Sequence, residues 1–204
     1  MATLIVDPRV SERLIEERRA RGADRFDEVW EGVYIMAPAP NDEHQEIEIH
    51  LARPLLEVVK DAGLGVVRTT INLASNPDHW EHDFRIPDIA VFLKGSRAVC
   101  HGEFWSGPPD FLVEIVSHFD KSREKFEFYS RLGTRELLLV DRDPWQLQLY
   151  RLQAGLLSLV ATISPDDAEA IQSEVLPLRF RLLSGDPRPT IAIVATDSQR
   201  SWTI

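Results

Sequence analysis

Two apolar, strand-like segments, RIPDIAVFL (85–93) and FLVEIVS (111–117), are each interrupted by a single carboxylate. That pairing constrains the fold of this chain more than any other feature. With side chains alternating along a strand, Asp88 shares a face with Ala90 and Phe92, and Glu114 shares one with Leu112 and Val116. Removing an ionised carboxylate from water costs several kcal/mol unless a partner compensates it, so each acid predicts a partner. Two such acids on consecutive strands are expected to converge on one cation. Hard divalent ions take oxygen ligands, and the backbone carbonyl of Ile115 would add a third.

The segment that follows supplies a cation of the chain's own. Lys125, Tyr129 and Leu132 fall at i, i+4 and i+7 of a helix expected over 122–132 and ended by Gly133. If that face packs on the sheet, it carries the Lys125 ammonium inward. There it can balance charge or orient water during attack on a phosphate. Singly, each residue has a bland reading: a turn or cap for Asp88, an edge-strand charge for Glu114, a solvated lysine for Lys125. Their order on strand, strand and helix is what points to chemistry.

Elsewhere the periodicity predicts helices over 11–21, capped by Ser11 and stopped by Gly22, and over 42–61. In the second, Ile47, Leu51, Leu55 and Val58 form the buried face, His44 belongs to it, and Pro54 should kink it. DEVWEGVYIMAP reads as a hairpin turning at Glu31-Gly32, and VVRTTINLA as one strand. ELLLVD and WQLQLYRL read as further strands, with two short ones after them. The fold class expected is α/β, a mixed sheet flanked by helices.

Composition excludes several classes. A net charge of −10 argues against a general nucleic-acid binder, which would carry a basic face. Arg18, Arg19 and Arg21 form the densest basic cluster, but Glu16, Glu17 and Asp24 surround it, as on a solvated helix. One cysteine, Cys100, cannot form an internal disulfide, and beside His101 it lacks the third partner of a nucleophilic triad. No uncharged apolar run approaches the roughly 18 residues of a membrane span, and the first residues make a poor signal peptide. The expectation is a cytoplasmic protein without membrane contact. His79, Glu81, His82 and Asp83 match no zinc spacing and read as a loop anchored by Trp80. Asp110 reads as a turn residue, Asp120 as the cap of the helix after it, and Trp145 and Tyr150 as packing residues.

The segments EVWEGVYIMAPAPNDEHQ, RIPDIAVF, GPPDFLVEIVS, SREKFEFYSRLGTRELLLVDRDPW and LQLYRL, in that order, resemble the Uma2 (DUF820) restriction-endonuclease family of the PD-(D/E)xK superfamily. The resemblance implies a restriction-endonuclease-like fold over 26–185, with an N-terminal helical segment over 1–25 and a tail over 186–204. It implies hydrolysis of DNA phosphodiester bonds with Mg²⁺ or Mn²⁺, by a homodimer. Asp88 matches the motif aspartate and Glu114 the acid of (D/E)xK. Two positions on stands Val116, and the lysine has moved to the helix as Lys125. His44 matches a histidine typical of the family, Glu31 the acid of its hairpin turn, and Gln45 a weaker lining position. A serine-proline step common in the family is here Ser117-His118. The competing readings are a nuclease-like fold used as a binding or assembly module, and a metal-dependent hydrolase of another phosphate ester. A retaining glycosidase would leave Lys125 without a role.

Overall fold

The computed structural model describes residues 8–117 and 121–204. Asp120 therefore lies outside the described residues. Helix α1 covers Pro8–Ala20, so Ser11 sits inside it rather than capping it, and Gly22 (φ 63°) follows its end. Strands β1 (Glu28–Trp30) and β2 (Val33–Ile35) form the expected hairpin. Its two-residue turn has positive φ at both Glu31 and Gly32, the geometry that matches strand twist.

Helix α2 (Asp42–Leu55) begins at an Asn41 cap, whose side chain accepts from the His44 N–H. After Pro54 the helix widens into a π-helical turn, Leu56–Lys60, with the Asp61 N–H bonded to the Leu56 carbonyl. The chain then makes β3 (Gly65–Thr69) and β4 (Asn72–Ala74). The single strand expected over VVRTTINLA is thus two strands in different sheets. Thr70 breaks them: it adopts φ 50°, with its N–H bonded to the Asp88 carbonyl and its hydroxyl to Glu48. Strands β5 (Phe84–Arg85) and β6 (Ile89–Leu93) flank Asp88, followed by β7 (Val99–Cys100), β8 (Phe104–Ser106) and β9 (Phe111–Ile115). A 3₁₀ turn, Ser122–Lys125, leads into α3 (Phe126–Leu132), closed by Gly133 at φ 92°.

Strands β10 (Glu136–Arg142), β11 (Trp145–Gln153) and β12 (Leu156–Ile163) complete a central sheet of order β12-β11-β10-β9-β6-β3. Within it β9 and β10 run parallel and the other pairs antiparallel. A second sheet has the order β2-β1-β5-β4-β8-β7. The third joins β13 (Ile171–Gln172), β14 (Leu178–Leu183), β15 (Thr190–Ala195) and β16 (Ser201–Thr203). The tail 186–204 therefore supplies two strands, and its Ile191 and Ile193 are fully buried. No helix among the described residues is long and apolar enough to cross a membrane.

Strand alternation assigns the two faces of the central sheet. Ile89, Val91, Phe111, Val113 and Ile115 pack with α2 and the third sheet. Ala90, Phe92, Leu112, Leu137 and Leu139 pack with Phe128 and Tyr129 of α3 and with Leu73 of the second sheet. Each fully buried aliphatic or aromatic side chain contributes about 1.5–3 kcal/mol. Ile47, Leu51, Leu55 and Val58, at most 1% exposed, are what hold α2 and its His44 against the sheet. Leu51→Ala should cost about 2–5 kcal/mol in urea unfolding. Ile49→Ala, on the exposed side of α2, should stay within about 0.5 kcal/mol; equal losses would refute this packing.

Candidate active site

The β6–β9 register brings the two strand acids together. Ile89 pairs with Val113, Ala90 with Leu112 and Val91 with Phe111. One step further along, Asp88 falls opposite Glu114, where Cβ atoms of facing residues lie about 4.5–5.5 Å apart. Asp88 stands just before β6, and its Oδ2 accepts the Ile115 N–H at 2.6 Å. The side chain therefore caps the ladder where pairing stops. Its own exposure is 19%, whereas that of Glu114 is 2%.

Glu114 lies on the α3 face. Its Oε1 accepts from the Tyr129 hydroxyl, and its Oε2 from Ser122 at 3.3 Å. The Lys125 ammonium approaches both oxygens, at 3.4 and 3.5 Å, and also donates to the Ile86 carbonyl at 3.1 Å. Its shortest partner is Glu28 of β1, at 2.8 Å. Glu28 is held in turn by the Ile86 N–H (2.7 Å) and the Trp30 indole N–H (2.6 Å). All three ammonium hydrogens thus have acceptors.

Two buried carboxylates share this one ammonium, and the electrostatics follow. Burial pushes the Glu114 carboxyl up to about 8; Lys125 opposes the rise, while Asp88 and Glu28 add to it. Burial alone would discharge Lys125, but the charges of Glu114 and Glu28 outweigh it and hold the ammonium above its usual range. Burial, with Glu114 and Glu28 nearby, likewise keeps the Tyr129 phenol protonated as a donor. A lysine so held is a fixed positive charge and not a base.

A second group meets Asp88 from α2. His44 Nε2 lies 3.0 Å from Asp88 Oδ1, and its Nδ1 lies 2.9 Å from the Ser117 hydroxyl. Glu48, one turn on, accepts from Thr70 at 3.1 Å. One ligand atom from each of His44, Glu48 and Asp88 lies within 4.8 Å of the others. Burial lowers the His44 affinity for a proton, but the Asp88 hydrogen bond and charge outweigh it and the net shift is upward. Burial, then Asp88, raises Glu48. Arg142 braces this side, donating to the Val116 carbonyl, Ser117, Asn41 and Glu43. Two carboxylates and an imidazole with ligand atoms within 4.8 Å of one another form a donor set that fits a divalent cation.

Asp88, Glu114, Lys125, Tyr129 and His44 therefore come together. Glu31 does not join them: it sits on the hairpin turn with its side chain 65% exposed and bonded to Arg131. Gln45 is exposed on α2, off the face that carries His44. Ile115 meets Asp88 through its N–H. Glu28, Glu48 and Ser122 were not foreseen from the sequence. The i, i+4 spacing of His44 and Glu48 was a readable signal for one of them. Glu28 had none, because its partners other than Trp30 are 58 and 97 residues away. Trp80 does anchor its loop, stacking on Phe104.

The family profile described as "Uma2: Putative restriction endonuclease" matches residues 15–184. The chain is also similar in structure to the crystal structure of "a putative nuclease belonging to DUF820" from Anabaena variabilis ATCC 29413. The TM-score is 0.56 at 21% identity, covering 73% of this chain and 83% of that one. At this identity the likeness is one of fold. No curated protein matches the chain.

The raised Glu114 carboxyl makes stability depend on pH. The stabilisation from its proton is full below the unfolded value of 4.5 and is lost as pH rises through about 8. Glu114→Gln cannot titrate. Measured by urea unfolding in chelator, its stability relative to the native chain should climb from about pH 5 to about pH 8.5. A difference that stays flat would show that Glu114 ionises normally.

Proposed function

Because this chain belongs to the Uma2 family, we propose that it is a divalent-metal-dependent endonuclease that hydrolyses DNA phosphodiester bonds at the Asp88–Glu114 end of the central sheet. The observation that carries the proposal is the position of Asp88. This one carboxylate touches His44 and faces Glu114, so it joins the cation-type donor set to the buried ammonium.

In this reading Asp88, Glu48 and His44 hold the ion, with Glu114 beside it. When bound, Mg²⁺ or Mn²⁺ polarises the phosphate and offsets its charge. The imidazole favours Mn²⁺, since Mg²⁺ prefers oxygen alone. Lys125 supplies a fixed positive potential toward charge that develops on the phosphate. Glu114, whose proton affinity is raised chiefly by burial, would be the group beside the ion that takes a proton from an attacking water. Tyr129 and Ser122 orient its carboxyl. The cation also answers the chain's net charge of −10, which would otherwise repel a polyanion. A cytoplasmic homodimer, one copy per DNA strand, belongs to the same reading.

The full occupancy of the Lys125 donors by Glu28, Ile86 and Glu114 favours a second reading, a nuclease fold that binds without cleaving. Plasmid nicking separates the two. The native chain should nick supercoiled DNA with Mn²⁺ and not in chelator, and Asp88→Ala should lower the rate by at least about a hundredfold. Glu48→Gln should weaken calorimetric Mn²⁺ binding by about tenfold or more. Undiminished nicking by Asp88→Ala would sink the endonuclease assignment, and Mn²⁺ binding without nicking would favour the binding module.

A further inference from the structure

The opposite end of the central sheet holds a cavity that the catalytic reading does not use. Strand β6 ends there at Leu93, β9 begins at Phe111, and β10, parallel to β9, begins at Glu136. Turns around residues 95–97, 108–110 and 133–135 line a half-open pocket of about 170 Å³. That is space for roughly five or six waters, or for one tetrahedral oxyanion. Asp88 lies about 15 Å from this end along β6, and Glu114 about 10 Å from it along β9.

The charge on its walls is unbalanced toward the positive. Asp110, its carboxylate, is engaged within the fold: Oδ2 accepts from the Leu93 N–H at 2.8 Å and Oδ1 from Arg135 at 3.1 Å. Arg135 uses one nitrogen in that contact, and its side chain is 55% exposed. Arg97 makes no side-chain hydrogen bond or ion pair among the described residues, and Lys94 lies exposed beside the turn. The Arg97 guanidinium reaches across the cavity, with Nη2 3.9 Å from where a Cβ on Gly133 would stand. Gly95 and Gly133 have φ of 86° and 92°, so larger side chains that would fill the space are disfavoured at both turns.

We propose that this cavity binds a phosphate-type oxyanion, clamped between Arg97 and Arg135. Guanidinium forks offer paired N–H groups that match two oxygens of a tetrahedral anion. With Asp110 neutralised by Arg135, Arg97 is the surplus charge and selects an anion over a cation. The chain's overall negative charge acts weakly here, being screened beyond about 8–10 Å at moderate salt. The ligand is inorganic phosphate or the terminal phosphate monoester of a nucleotide chain. The site does not depend on the metal-dependent chemistry at the other end.

The test uses the full chain in chelator, so that no metal-held phosphate contributes. Inorganic phosphate should raise the melting temperature saturably, where chloride at equal ionic strength does not. Calorimetry should show Arg97→Ala weakening phosphate by roughly tenfold or more, with Arg97→Lys retaining part of the affinity. Arg181→Ala, on an exposed strand position, should leave it unchanged. Tighter binding of a 5′-phosphorylated dinucleotide than of phosphate, lost without its phosphate, assigns the site to a nucleic-acid end. Equal binding assigns it to free phosphate. No saturable response, or one unaltered in Arg97→Ala, overturns the proposal. Arg97 makes no side-chain bond within the described fold, so its removal tests binding without unfolding the chain.

Discussion

Three carboxylates and one ammonium, largely withdrawn from water at one end of the β6–β9 pair, set the terms for the rest of this molecule. Glu28, Asp88 and Glu114 come from β1, from the bend before β6 and from β9, and Lys125 comes from the turn before α3. Desolvating such groups is unfavourable unless each finds several partners at good geometry. Each does: the Ile86 N–H and Trp30 for Glu28, the Ile115 N–H and His44 for Asp88, Tyr129 and Ser122 for Glu114. Meeting those demands requires the second sheet, both faces of the central sheet and α3 to converge at one point. A network of this kind is weak evidence for stability and better evidence that the charges serve a purpose.

The balance of charge explains the character of the site. Burial first, and then the charges of Asp88 and Glu28 that one fixed ammonium does not cancel, give Glu114 its high proton affinity. On the α2 side Glu48 is raised by burial and then by Asp88, and His44 by Asp88 against its burial. A divalent cation would offset the same uncancelled charge that protons offset otherwise, so metal and proton compete for one place. Strain accompanies this arrangement. Thr70, a β-branched residue at positive φ, is held by the Asp88 carbonyl and by Glu48. Its bend sends the chain from the central sheet to the second sheet and lets both sheets contribute to the site.

Much of the fold and half of the site could be read directly from residue order. Alternation around Asp88 and Glu114 identified strand acids on apolar faces. The i, i+4 spacing of Lys125 and Tyr129 identified the helix face that turns toward them. Hydrophobic spacing along α2 placed His44 inside, and the hairpin turn followed from Glu31-Gly32. These are local properties: period, propensity and turn geometry act over a few residues and leave their mark in sequence.

The opening pair, Asp88 and Glu114, shows where that legibility stops. Sequence by itself determined that two acids set among apolar residues needed partners and that Lys125 shared a face with Tyr129, because alternation and helical spacing act over a few residues. Only the tertiary structure decided that β6 lies antiparallel beside β9 with Asp88 opposite Glu114, that Glu28 is the shortest partner of Lys125, and that Glu48 joins His44. It also sent Glu31 to the surface and broke VVRTTINLA at Thr70. Those outcomes depend on register and chain crossing between segments tens of residues apart, and no local period encodes them.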